Sequence, residues 1–150
     1  MATTIKDPKE FLDMPGDQLD DIFRNSPAGD IPSGKTDGTA IVASGTEISD
    51  DIAHCVNLFT WKGKVFEPEK GELINRIGLI EHRLIVAKVY KGKSWFDDKE
   101  CIVIDYSKTS FLAHSIRDEI REVAPGIYLG LVYWGKKKLI HFALKFPAST

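Results

Sequence analysis

Four runs in the second half of the chain constrain its architecture most: "RLIVAKVY" (83–90), "ECIVIDYS" (100–107), "GIYLGLVYW" (126–134) and "KLIHFALKF" (138–146). They are rich in β-branched and aromatic residues, and clusters of Gly, Asp, Ser or Lys separate them at hairpin-like intervals. No alternation of strand and helix signals runs through this half, so a parallel sheet is not expected. An antiparallel meander is, and it avoids exposed edges most simply by closing into a barrel.

The segment between the second and third runs, "SIRDEIREVAPG" (115–126), reads two ways. Ile116, Ile120 and Val123 fit helical spacing, and Ser115 with Asp118 resembles a cap. Pro125 and Gly126 form a tight turn, however, and the strand after them needs an antiparallel neighbour. The strand reading is preferred. It places Ile116, Asp118, Ile120 and Glu122 on one face and Arg117, Glu119 and Arg121 on the other. The isoleucine face should look inward, carrying Asp118 with it.

Residues 7–24 read as a helix in two pieces: Asp7 and Pro8 form an N-cap and first-turn pair, and Pro15 with Gly16 interrupts before "DQLDDIF" resumes. The next stretch, "GDIPSGKT" (29–36), fits the phosphate-loop pattern G-x-x-x-x-G-K-[ST]. A phosphate loop needs a buried strand leading in and a helix leading out. Here an acidic helical segment leads in and "DGTAIVAS" leads out as extended chain, so the stretch reads as a loop between the N-terminal helix and the first strand. A second helix is expected near 47–59, where Ile48, Ile52, Val56 and Phe59 form one apolar stripe. The chain thus divides into a helical and loop segment, 1–38, packed on a barrel, 39–150, within a single domain.

Twenty basic residues against 22 acidic ones leave a net charge of −2, which supplies no electrostatic case for nucleic acid or an anionic membrane. Lys136, Lys137 and Lys138 read as a solvated hairpin turn. No apolar run is long enough to span a membrane, and the N-terminus lacks a secretory signal, so a cytoplasmic protein is expected. Cys55 and Cys101 are far apart and read as buried, reduced thiols. His54, His82, His114 and His141 are scattered without metal-ligand spacing, and neither metal nor cofactor is expected.

The tract "WKGKVF" (61–66), followed by "VIDYS" and "RDEIREVAPGIYLG", resembles bacterial GXWXG-domain proteins, whose domain carries a W-x-G-K-x-F element. Trp61, Gly63, Lys64 and Phe66 carry the likeness, which extends loosely from about Leu19 to Trp134. The G-x-W-x-G tract itself would fall near Gly38 to Gly45, where the chain has "GTAIVASG" without a Trp. The resemblance implies a calycin-like (lipocalin-like) barrel and no particular reaction.

Among residues able to carry chemistry, Asp118 leads: burial on an inward face raises a carboxyl pKa and suits it to acid or base work, or to holding a polar ligand group. Asp105 and Tyr106 end an apolar strand, one facing in and one out. Tyr128, after the Pro-Gly turn, is expected as an interior phenol. Trp61 and Phe66 are expected to close one end of the barrel, with Lys64 bringing a charge toward its mouth and reaching water. His114, Ser110, Ser115 and Asp118 cluster in sequence, but on a strand His114 and Asp118 lie two pleats apart, too far for direct orientation. Eight Phe, four Tyr and three Trp supply an apolar lining. The expected function is binding of a small apolar or amphipathic molecule, lipid- or polyketide-like, in the barrel. The alternatives are a cofactor-free cyclase, isomerase or hydrolase using the same cavity, and a protein-interaction module with a filled core, dimerising through an edge strand.

Overall fold

The structure, a computed structural model, describes residues 5–42, 61–77, 84–108 and 114–147, with the backbone alone at 61–63, 75–77, 84 and 85. Eight strands follow two short helices: β1 (Gly34–Ile41), β2 (Trp61–Glu67), β3 (Glu72–Ile77), β4 (Leu84–Lys93), β5 (Glu100–Asp105), β6 (Ile116–Ala124), β7 (Ile127–Trp134) and β8 (Lys137–Lys145). Each strand pairs antiparallel with the next, and β8 pairs back onto β1 from Asp37↔Lys145 to Ile41↔His141, closing the barrel. This is the up-and-down order of a calycin-like fold. The segment 116–124 is a strand, as its Pro-Gly turn and neighbour requirement predict. The helix expected near 47–59, with Cys55 and His54, lies outside the described residues, as do His82 and Ser110.

Alternation along the strands builds two apolar layers. The interior holds Phe66, Leu73, Val89, Ile102, Ile104, Tyr106, Ile116, Ile120, Tyr128, Val132, Phe142 and Leu144. The outer face of β5 to β8 presents Cys101, Val103, Ile127, Leu129, Leu131 and Tyr133 to the N-terminal segment. There a 3-10 helix, Pro8–Asp13, begins at Asp7, whose side chain accepts from the Lys9 amide while Glu10 reaches back in a capping box. Helix α1, Gly16–Arg24, follows the Pro15 interruption and lays Leu19 and Phe23, one turn apart, on the barrel.

Polar residues on the outer face of β6 fasten this cover. Arg121 is buried; its guanidinium forks onto Asp97 at 2.6 and 2.7 Å and also donates to the carbonyls of Phe23, Lys99 and Glu100. Helix α1, the β4–β5 connection and β6 meet at this side chain. Glu119 accepts from Ser94 Oγ at 2.6 Å, the Trp95 amide at 2.8 Å and Arg117 Nε at 3.1 Å. On β8, His141 meets Asp20 at 2.8 Å, and burial holds its pKa below the ordinary imidazole value.

"GDIPSGKT" binds no helix N-terminus, because Gly34, Lys35 and Thr36 already belong to β1, and the Thr36 hydroxyl donates to the Lys145 carbonyl at 2.7 Å. The barrel therefore starts five residues earlier than the 1–38/39–150 division places it. The loop before it folds across one barrel end: the carbonyls of Pro27 and Ala28 accept from the Glu122 amide, and Ile31 packs on the interior cluster. Gly29, at φ +75°, is required there, since a Cβ would stand 2.6 Å from that of Glu122.

Candidate functional site

The inner faces of β2 and β6 and the residue after β5 converge on one polar group. Lys64 and Asp118 are fully buried, as is Tyr106. Lys64 Nζ lies 3.1 Å from the Tyr106 hydroxyl, which faces Asp118 Oδ2 at 3.4 Å, and Nζ to Oδ2 is 3.7 Å. Asp118 Oδ1 is buried with no hydrogen-bond partner. Around the group stand Ile104, Ile116, Ile120, Val132 and Phe142, the last with its ring centroid 5.6 Å from Nζ.

Each placement follows from period two. Phe66 faces inward, so Lys64, two residues before it, does too. Ile102 and Ile104 carry Tyr106 inward past the end of β5, while Ile116 and Ile120 flank Asp118. Burial pushes the Asp118 carboxyl up to about 6, against the opposing pull of Lys64 and Tyr106. Burial likewise pushes the Lys64 ammonium down to about 8, against Asp118. With Nζ 3.7 Å from Oδ2 and the Tyr106 hydroxyl beside both, the two side chains are placed as a buried ion pair.

Of the residues singled out in the sequence, Lys64, Tyr106 and Asp118 come together. Lys64 corrects an expectation: its amine does not reach water at the mouth, because a buried acid and phenol receive it inside. Asp105 faces outward at the strand end, accepting from the Ser107 amide at 2.9 Å and the Tyr90 hydroxyl at 3.1 Å. Tyr128 is an interior phenol, as expected, yet it lies four residues along β7 from Val132, the partner of Asp118, hence roughly 13 Å away. Its hydroxyl donates to the Asp30 carbonyl at 2.8 Å, and burial raises its pKa. Phe66 closes that same end with Phe146, their centroids 5.6 Å apart. Trp61 starts β2, its backbone five residues of strand, roughly 17 Å, from Phe66. His114 stands exposed before β6 and forms no dyad with buried Asp118.

Phe142 was not anticipated in the site. Its signal was Gly130, a glycine inside the apolar run "YLGLVY" and the register partner of Phe142. A Cβ on Gly130 would stand 2.2 Å from the Phe142 ring, so only glycine lets that ring lie across the interior. Cys101 is a buried free thiol, as expected, and burial pushes its pKa up to about 12. Among the described residues, no group of three or more His, Cys, Asp or Glu is placed to hold a metal ion. No described helix is long and apolar enough to cross a membrane. An open cleft of about 370 Å³ at the rim, beside Lys6, Gly126 and Phe146, gathers none of the predicted site residues.

No protein-family model matches the chain, and no curated relative does. Among solved structures, a protein from Thermomonospora curvata, known from its crystal structure, superposes with a TM-score of 0.63 at 13% identity. The match covers 91% of this chain and 90% of that one. At such identity the likeness shows the fold alone.

Proposed function

We propose that this chain binds a small apolar or amphipathic molecule, lipid- or polyketide-like, inside the barrel, with Asp118, Lys64 and Tyr106 as the polar anchor. The observation that carries the reading is Asp118 Oδ1, a buried carboxylate oxygen without a donor, flanked by Ile116 and Ile120. Buried polar atoms in folded proteins nearly always have partners, and an exception points to a ligand or water that supplies one. An eight-stranded barrel has the diameter to hold one small ligand. Kinship with GXWXG-domain proteins and a cytoplasmic location belong to the same proposal. Native mass spectrometry of freshly purified protein, against the same sample after organic extraction, tests it: a retained mass that extraction removes is expected. A fresh spectrum at the bare chain mass, with no uptake of added lipid-like compounds, overturns it.

A second reading rests on the opposed pKa shifts of Asp118 and Lys64, which bring an acid and a base near neutrality in one enclosed place. In a cofactor-free isomerase, cyclase or hydrolase, Asp118→Asn removes turnover while sparing binding. The interaction-module reading gains less support, since closure pairs each described strand on both sides, and an edge-strand dimer needs an unpaired one.

A further inference from the structure

We infer that the ligand's polar group is a neutral hydroxyl, of an alcohol or a phenol, that donates its hydrogen bond to Asp118 Oδ1. The inference rests on the binding reading above and names the chemistry at its anchor. Both named partners of the carboxylate, the Tyr106 hydroxyl and Lys64 Nζ, face Oδ2. Oδ1 is left as a buried acceptor, and an acceptor selects a donor.

Charge narrows the choice. Ile104, Ile116, Ile120 and Val132 surround Asp118 with apolar side chains, so a charged ligand group loses far more hydration on entering there than a neutral one does. A carboxylate at neutral pH has no proton to offer and would face the negative Oδ1. An ammonium could donate, but it would add a second cation beside Lys64. A hydroxyl meets both conditions. Its apolar body is received along β1, whose inner face carries the small residues Gly34, Thr36, Gly38 and Ala40; Gly38 and Ala40 sit opposite Leu144 and Phe142 on β8.

The test titrates the intact protein at neutral pH with 1-octanol, octanoate and octylammonium by isothermal calorimetry. The alcohol is expected to bind, with both charged analogues weaker by at least about tenfold. Because Asp118→Leu alone would strand a buried ammonium, the companion variant is Lys64→Met/Asp118→Leu, in which the preference for the alcohol over octanoate should disappear. Octanoate or octylammonium matching the alcohol overturns the hydroxyl assignment and leaves binding standing, and so does an unchanged preference in the double variant. Failure of all three probes overturns the assignment as well. The binding reading then falls too if fresh protein shows only its bare mass, and survives if an extractable ligand is found.

Discussion

Removing either member of the Lys64–Asp118 pair alone leaves the other buried without its counter-charge, which in folded proteins destabilises by about 3–5 kcal/mol, whereas replacing both by apolar groups is often neutral. Lys64→Met and Asp118→Leu should therefore each lower the urea midpoint strongly, and the double variant should recover most of the loss. Additive losses would show that the two side chains do not act as a pair. The same residues set a pH signature. The folded-state pKa of Asp118 lies above its ordinary 3.8, at about 6, so the stability its neutral form contributes is complete below pH 3.8 and is lost as pH rises toward 6. Lys64 runs oppositely: its folded pKa lies below the ordinary 10.5, at about 8, so its contribution is complete above 10.5 and is lost as pH falls through 8. Subtracting the double variant's stability profile from that of the parent should give a curve that falls from about pH 4 to 6, stays level to 8 and rises toward 10.5. A level difference throughout would refute the shifts.

At the scale of elements, β6 joins both layers. Its inner face carries Asp118 to the site, and its outer face carries Arg121 to helix α1 and the β4–β5 connection. Arg121→Met should destabilise by about 3–5 kcal/mol, since Asp97 and three backbone carbonyls lose a shared donor. Arg121→Lys should not rescue it, because an ammonium cannot reproduce the two-pronged bond to Asp97. Limited trypsin digestion should cut first at Arg24 or Lys35 in both variants, and cleavage there no faster than in the parent would show that α1 is held by Leu19 and Phe23 alone. Neither partner of this clamp was legible beforehand. The alternation of Arg117, Glu119 and Arg121 away from the isoleucines was readable, but a charged face ordinarily meets water. It is buried here because the N-terminal helices fold over it, a contact between residues 98 positions apart.

Across the whole molecule, burial is uneven around the barrel. Strand β7 is buried from Ile127 to Tyr133 and β5 from Cys101 to Ile104, because the N-terminal segment covers their outer face, whereas Lys88 and Tyr90 of β4 lie exposed. Amides in doubly covered strands open only with global unfolding, and singly covered strands open locally. Hydrogen exchange should accordingly be slowest in β5, β6, β7 and β8 and faster in β4. Equal protection around the barrel would show that closure alone, and not the helical cover, governs local stability.

By itself the sequence determined the parts that depend on local chemistry. Hairpin spacing and β-branched runs specified antiparallel strands, Asp7-Pro8 and Pro15-Gly16 specified the helix breaks, and the two isoleucines flanking Asp118 turned that acid inward. The flanks of "GDIPSGKT", acidic helix before and extended chain after, marked it as a loop running into the first strand, and Gly34 to Thr36 do open β1. What only the tertiary structure decided were the encounters between distant residues. Lys64 follows the same alternation as Phe66, yet a lysine's long stem can usually carry its charge to water. It stays inside because Tyr106 and Asp118, 42 and 54 positions further on, are brought within reach when the barrel closes. Periodicity tells which face a side chain is on; only closure determines what it meets there.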